Sequence, residues 1–151
     1  MIIREANIND VDSIVSLINN YAKKELMLSK TTYKIFCTIQ NFFVAEIDNK
    51  VVGCASLSVL WKDLCEICSL AVDNNYYKRG IGKTLTLKCI VRAKKLKMPK
   101  VLALTYQNQF FEKLNFKLVD KNIFLRKILR ECLECPKLDC CDESAYLLEL
   151  D

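Results

Sequence analysis

The chain switches between stretches with an apolar residue at every third or fourth position and stretches that are apolar throughout. Residues 2–4 read as a short strand. Asn7 or Asn9 can cap a helix whose apolar face carries Val11, Ile14, Val15, Ile18, Tyr21, Ala22 and Leu26. A second helix is predicted over 31–40. Phe42–Ile47 and Val51–Leu60 read as strands around an Asp48-Asn49-Lys50 turn, with Gly53 inside the second. Leu64–Val72 is a third strand, apolar enough to be buried on both faces, and Asp73-Asn74-Asn75 ends it. The helical period returns over Gly80–Leu96, with Ile81, Leu85, Leu87, Ile90, Val91 and Leu96 as its apolar positions. The pattern then predicts a strand at Lys100–Tyr106, a short helix at Phe110–Leu114 and a strand at Phe116–Val119. A helix over 122–134 and a closing strand at Ala145–Leu150 complete it. No repeat or linker interrupts the series, so 1–151 reads as a single α/β (α+β) domain, a mixed sheet with helices on both faces.

Composition narrows the chemistry. A chain of 151 residues, 52% apolar and 27% charged, can fold around its own core without staples. It holds no run of the roughly 18 apolar residues that a membrane span needs. Its first residues meet an acid at Glu5 and lack an apolar signal core, so a cytoplasmic location and no membrane partner are expected. There is no histidine, which excludes histidine triads, histidine-ligated metals and imidazole bases. Proton transfer is left to Glu, Asp, Tyr, Cys, Lys or water. Nine cysteines, an odd number, fit a reducing compartment in which thiols stay free. Cys37, Cys54, Cys65, Cys68 and Cys89 lie in apolar stretches and read as small buried hydrophobes. Cys132, Cys135, Cys140 and Cys141 make a Cys-rich segment, 132–143. Zinc sites space two such pairs about 15–20 residues apart, and adjacent Cys140 and Cys141 can hardly share one ion. No metal is expected there; a redox-sensitive pair and packed or substrate-proximal thiols stay open.

The net charge of +5 is unevenly spread. Residues 74–111 hold nine basic side chains and no acid, whereas the rest of the chain is net negative. Such a block suits an anionic partner, or a solvated helix face. Its aromatics, Tyr76, Tyr77, Tyr106, Phe110 and Phe111, flank the basic run without interleaving it, which argues against nucleic acid. Two of the three glycines, Gly80 and Gly82, stand between the buried strand and the basic helix, in Tyr77-Lys78-Arg79-Gly80-Ile81-Gly82-Lys83. Glycine lets a ligand approach the main chain, and a helix N-terminus offers unpaired N–H groups and a positive dipole end. A phosphate site is predicted there, with Lys78, Arg79 and Lys83 adding charge. The loop is neither a P-loop nor the three-glycine dinucleotide fingerprint.

Those residues carry a resemblance. Residues 66–83 are similar to the cofactor segment of the GNAT superfamily of N-acetyltransferases, whose signature is Gln or Arg, two residues, Gly, one residue, Gly or Ala. Leu60–Leu64, Ser69–Asp73, Ala103–Gln107, Phe110–Leu114 and the Cys-rich tail resemble the short bacterial N-acetylglutamate synthases. Tyr77 stands at the Gln/Arg position, and Lys78 where the subfamily often has Gly. The resemblance implies a single-domain GNAT fold, with a mostly antiparallel central sheet flanked by helices. It implies acetyl transfer from acetyl-coenzyme A to a small amine, the α-amino group of L-glutamate first, as in arginine biosynthesis. Another amine, a protein N-terminus or a non-catalytic coenzyme A-binding module are the alternatives. By the same resemblance Leu70 N–H is the oxyanion donor and Val72 holds the pantetheine arm. Leu70, Ala71, Val72, Lys78, Arg79, Gly80, Ile81, Gly82, Lys83 and Phe111 make up the cofactor site. Phe111 fills the place of the family's usual acid, a Tyr, leaving Tyr106 or unassisted thiolate departure. Glu66, among Leu64, Ile67 and Leu70, is a candidate base with a raised pKa or a paired structural carboxylate. On alternation it shares a face with Cys68 and Leu70 unless a bulge intervenes. The acceptor falls to Lys30, Cys68, Thr105 and Tyr106; relatives often carry Arg at the first two positions, and Arg4, Lys24 and Arg126 are candidate substitutes. A homodimer is compatible with the sequence.

Overall fold

The structure, a computed structural model, describes residues 1–27, 29–120 and 143–151. The strands are β1 (Ile2–Glu5), β2 (Phe42–Ile47), β3 (Lys50–Trp61), β4 (Leu64–Val72), β5 (Lys100–Thr105), β6 (Lys117–Val119) and β7 (Ser144–Glu149). They are hydrogen-bonded in the order β1-β2-β3-β4-β5-β7-β6. The pairings β1–β2, β2–β3, β5–β7 and β6–β7 are antiparallel, and β4–β5 is parallel. The α-helices among the described residues are α1 (Val11–Ala22), α2 (Thr32–Thr38), α3 (Ile81–Lys95) and α4 (Asn108–Glu112). The predicted α/β sheet, mixed and mostly antiparallel with flanking helices, is therefore present. The predicted helix over 122–134, the four tail cysteines and Arg126 lie outside the described residues.

Contacts divide the chain into two compact units, Met1–Ser58 with Ile67–Arg92, and Val59–Glu66 with Ala93–Asp151. In the first, Asn7 caps a 3-10 turn that leads into α1, with a capping box closed by Asp10. Val11, Ile14 and Ile18 of α1 pack with Ile35, Phe42, Val44, Cys54 and Ala71. Leu26, expected on that face, lies past the helix end and is exposed, because the chain turns at left-handed Glu25. Asp48 and Asn49 both have positive φ and join β2 to β3 as a two-residue hairpin, the geometry that matches strand twist. Cys37, expected buried, is exposed on α2; Ile35 supplies that helix's buried contact.

Arg4 forks onto Asp10 through Nη1 (2.8 Å) and Nη2 (2.9 Å), and its Nε donates to Glu46 at 2.9 Å. Arg4 is thereby committed to structure and does not serve as a carboxylate binder for substrate. The guanidinium's hydrogen bonds hold the Asp10 carboxyl below its ordinary 3.8. A carboxyl with a depressed native pKa contributes stability above its unfolded value and loses it as pH falls through the native one. Asp10→Asn is therefore expected to cost about 2–3 kcal/mol at neutral pH, below the fully buried figure because Arg4 is partly exposed. In thermal melts the gap between the two proteins closes once the pH drops below the ordinary carboxyl range.

Helix α3 rests on Gly53 of β3. A Cβ at Gly53 would lie 3.0 Å from Ile81 Cγ2, 3.2 Å from Leu85 Cδ1 and 3.4 Å from the Ala71 carbonyl. Ile81, Leu85, Cys89 and Ile90 are buried. Leu87, Val91 and Leu96, predicted as apolar-face positions, are exposed. Gly53 lets the helix approach β3 closely, and the face it presents there carries Ile81 and Leu85. Gly53→Val is expected to destabilise the fold by about 2–3 kcal/mol in denaturant melts, since backbone and α3 side chains must both give way.

In the second unit Leu60, Leu64, Leu102 and Ala145 form a small core. Phe111 of α4 is buried edge-to-face between Phe110 (5.0 Å) and Phe116 (5.1 Å). Buried Tyr146 donates its hydroxyl hydrogen to Glu112 at 2.7 Å.

Candidate active site and cofactor loop

Strand β4 is irregular where the sequence placed the oxyanion donor. Ser69, in mid-strand, has φ +56°, the left-handed region that a non-glycine residue seldom occupies. The Cys54 thiol donates to the Ser69 carbonyl at 3.4 Å, and the Ser56 hydroxyl to the Cys68 carbonyl at 3.0 Å. In a regular ladder carbonyls lie in the sheet plane and side chains stand perpendicular to it. Carbonyls that meet side chains of the next strand have turned out of that plane. The two-residue alternation therefore does not carry across Ser69, and Leu70 does not inherit the face of Glu66 and Cys68. Cys68 is half-buried, its Sγ 3.3 Å from Ser56 Oγ and 3.4 Å from Ser58 Oγ. Burial pushes the Cys54 thiol up to about 12, so it stays a donor across the working pH range.

The end of β4 is tied to α1. Tyr21 donates its hydroxyl hydrogen to the Val72 carbonyl at 2.7 Å and also meets the Tyr77 hydroxyl. With its one hydrogen given to Val72, Tyr21 accepts from Tyr77. Burial and the Tyr77 hydrogen bond raise the Tyr21 pKa well above its ordinary value. The residue at the signature's Gln/Arg position thus fastens the loop to α1.

The loop itself holds two left-handed residues, Lys78 (φ +64°) and Gly80 (φ +76°). Lys78 adopts a conformation that glycine takes without steric cost. Arg79 stacks on Tyr76, 5.0 Å from the ring centroid. The first helical hydrogen bond of α3 runs from Thr84 N to the Gly80 carbonyl at 3.0 Å. The amides of Ile81, Gly82 and Lys83 therefore have no acceptor within the helix. Among the described residues nothing stands within 4 Å of where a Gly80 Cβ would be, so Gly80 leaves the approach to these amides open. Open amides, a positive helix end and flanking Lys78, Arg79 and Lys83 fit a diphosphate.

Other predicted residues are placed as follows. Glu66 is buried in β4, opposite Leu102 of β5. Leu70 and Val72 are half-buried and Ala71 is buried. Thr105 is buried at the end of β5, its Oγ1 accepting from Gln107 N at 2.7 Å, with half-buried Tyr106 next to it. Lys30 is half-buried and Lys24 exposed. Sequence reasoning missed Ser69, Cys54, Ser56 and Tyr21. A signal existed: Cys54, Ser56 and Ser58 put small polar groups at every second position of an otherwise apolar strand.

The model of the acetyltransferase (GNAT) family matches residues 12–116. The chain belongs to the GNAT family. It is 33% identical to an N-acetyltransferase of Chlorobaculum tepidum, over 98% of this chain and 96% of that one. It is 36% identical to the amino-acid acetyltransferase of Mycobacterium tuberculosis, over 76% of this chain and 67% of that one. Among solved structures, Rv2747 of M. tuberculosis in complex with CoA superposes with a TM-score of 0.87 at 30% identity, both chains fully covered. An N-acetylglutamate synthase of Neisseria gonorrhoeae shares the fold, with a TM-score of 0.86 at 22% identity, over 99% of this chain and 35% of that one. This GNAT chain is an acetyl-CoA-dependent acetyltransferase. Among its described residues no three Cys, Asp or Glu side chains are grouped to hold a metal ion, and no helix is long and apolar enough to cross a membrane.

Proposed function

We propose that the acceptor is the α-amino group of a small amino acid, with L-glutamate foremost. The observation that carries this is the 36% identity to an amino-acid acetyltransferase over 76% of the chain. Acetyl-CoA supplies an acyl group activated as a thioester. The amides of Ile81, Gly82 and Lys83, with Lys78 and Arg79, hold its diphosphate, and Ala71 and Val72 line the arm that leads to the sulfur. Glu66 takes the proton that keeps the amine from attacking. The amine lone pair then forms the C–N bond to the acyl carbon. Leu70 N–H donates to the oxygen on which charge develops. The C–S bond breaks with its electron pair on sulfur; the thiolate, whose conjugate thiol has a pKa of about 8.5, departs without an acid, and the new amide nitrogen releases its surplus proton to water. Lys30, Thr105 and Tyr106 bind the acceptor, with Lys30 facing a carboxylate as a point charge.

A second reading rests on Cys68. Its neighbours Ser56 and Ser58 are neutral, which suits an amine without a carboxylate nearby. A thiol-release assay with acetyl-CoA and a panel of amino acids, polyamines and N-terminal peptides separates the two. Turnover with L-glutamate well above the other amines is expected. Turnover confined to polyamines or peptides selects the second reading.

A further inference from the structure

We propose that Ser56 and Cys54 of β3 are positioning residues for acetyl transfer: they hold two successive β4 carbonyls so that the Ser69 and Leu70 amides face the thioester oxygen. The inference rests on the reading of Leu70 N–H as oxyanion donor and adds Ser69 N–H as its companion.

A trans peptide is planar, and its C=O and N–H point in opposite directions. The chain has no cis peptide bond among its described residues. The Ser56 hydroxyl fixes the Cys68 carbonyl, so the Ser69 N–H points away from Ser56. The Cys54 thiol fixes the Ser69 carbonyl, so the Leu70 N–H points away from Cys54. In an extended strand successive peptides face opposite ways, and one side-chain row cannot hold two of them. The left-handed turn at Ser69 makes them face the same way. Two adjacent N–H groups on one side form a concavity for negative charge. Such a turn is sterically costly for a non-glycine residue, so it persists where its surroundings enforce it. Cys54 is fully buried and Ser56 is 3% exposed. Neither has water to bond instead, and both have a β4 carbonyl. The two lie two residues apart on one face of β3, the spacing that matches consecutive carbonyls turned out of the ladder.

The roles are separable from plain packing. Ser56→Ala removes the donor and leaves a small void. In steady-state assays with acetyl-CoA and the acceptor found by the panel, kcat is expected to fall roughly 10- to 100-fold. The affinity for CoA, measured by calorimetry, should stay within about twofold, because the diphosphate loop is untouched. Ser56→Thr restores the hydroxyl and should recover most of kcat. Cys54→Ser should likewise outperform Cys54→Ala, by several-fold. Unchanged kcat in both alanine variants overturns the proposal. So does a loss of kcat matched by lost CoA affinity and thermal stability that neither donor-restoring variant repairs. The donor reading fails on a different result, an unimpaired Leu70 ester variant. Both alanine variants at full rate beside a crippled Leu70 ester would sink the positioning role alone.

Discussion

Replacing the Leu70 amide with an ester, by incorporating the α-hydroxy analogue of leucine, is expected to lower kcat by about 10²–10³-fold. The substitution removes one N–H and keeps the side chain, so the half-buried Leu70 loses no packing. That donor is worth far more in the transition state than in the ground state, because the thioester oxygen gains charge only as the amine attacks. KM for acetyl-CoA should therefore move little. An equal change in kcat and in CoA affinity would assign the amide to binding and not to chemistry. The neighbouring carbonyl also becomes a weaker acceptor in an ester, but that carbonyl belongs to Ser69 and its partner is the Cys54 thiol. The loss at that bond is at most about 1 kcal/mol and shows in the melt.

Glu66→Gln should cost about 10²–10⁴-fold in kcat at neutral pH. Gln matches the shape of Glu66 and keeps it in its buried place in β4. What disappears is the proton acceptor. The sign of the pH effect follows from the acceptor. Below its own pKa the amine is mostly an ammonium ion that needs a base. Above it, the amine is free and the base is superfluous. The deficit of Glu66→Gln is thus largest at low pH and narrows as the pH passes the amine's pKa. A deficit that is constant across the range would make Glu66 a structural carboxylate.

The pattern of apolar positions located every described strand and α-helix, and β2 and β4 to the residue, because hydrophobic period and turn residues are local properties. Tertiary contact decided what the period could not. Leu87 and Val91 look as core-like as Leu85, yet α3 packs Ile81, Leu85 and Cys89 inward and leaves those two exposed. Arg4 is available to a substrate until the fold sets Asp10 and Glu46 against it. The cofactor loop was legible because glycine, helix start and basic side chains are contiguous in the chain. The distortion of β4 was legible only as a bulge that would break the alternation; its place at Ser69 was not, since Ser69 has no residue-type signature and its support comes from Cys54 and Ser56 across a strand pair. Tyr21 escaped for the same reason: its partner Val72 is 51 residues away.

The central claim is that the backbone around Gly80–Lys83 and Leu70 takes the cofactor. Amide hydrogen exchange with and without CoA tests it most directly, with calorimetry to establish saturation. The amides of Ile81, Gly82 and Lys83 are expected to slow on binding, and that of Leu70 to slow further with acetyl-CoA. Saturation by CoA with unchanged exchange at all four residues would contradict the account.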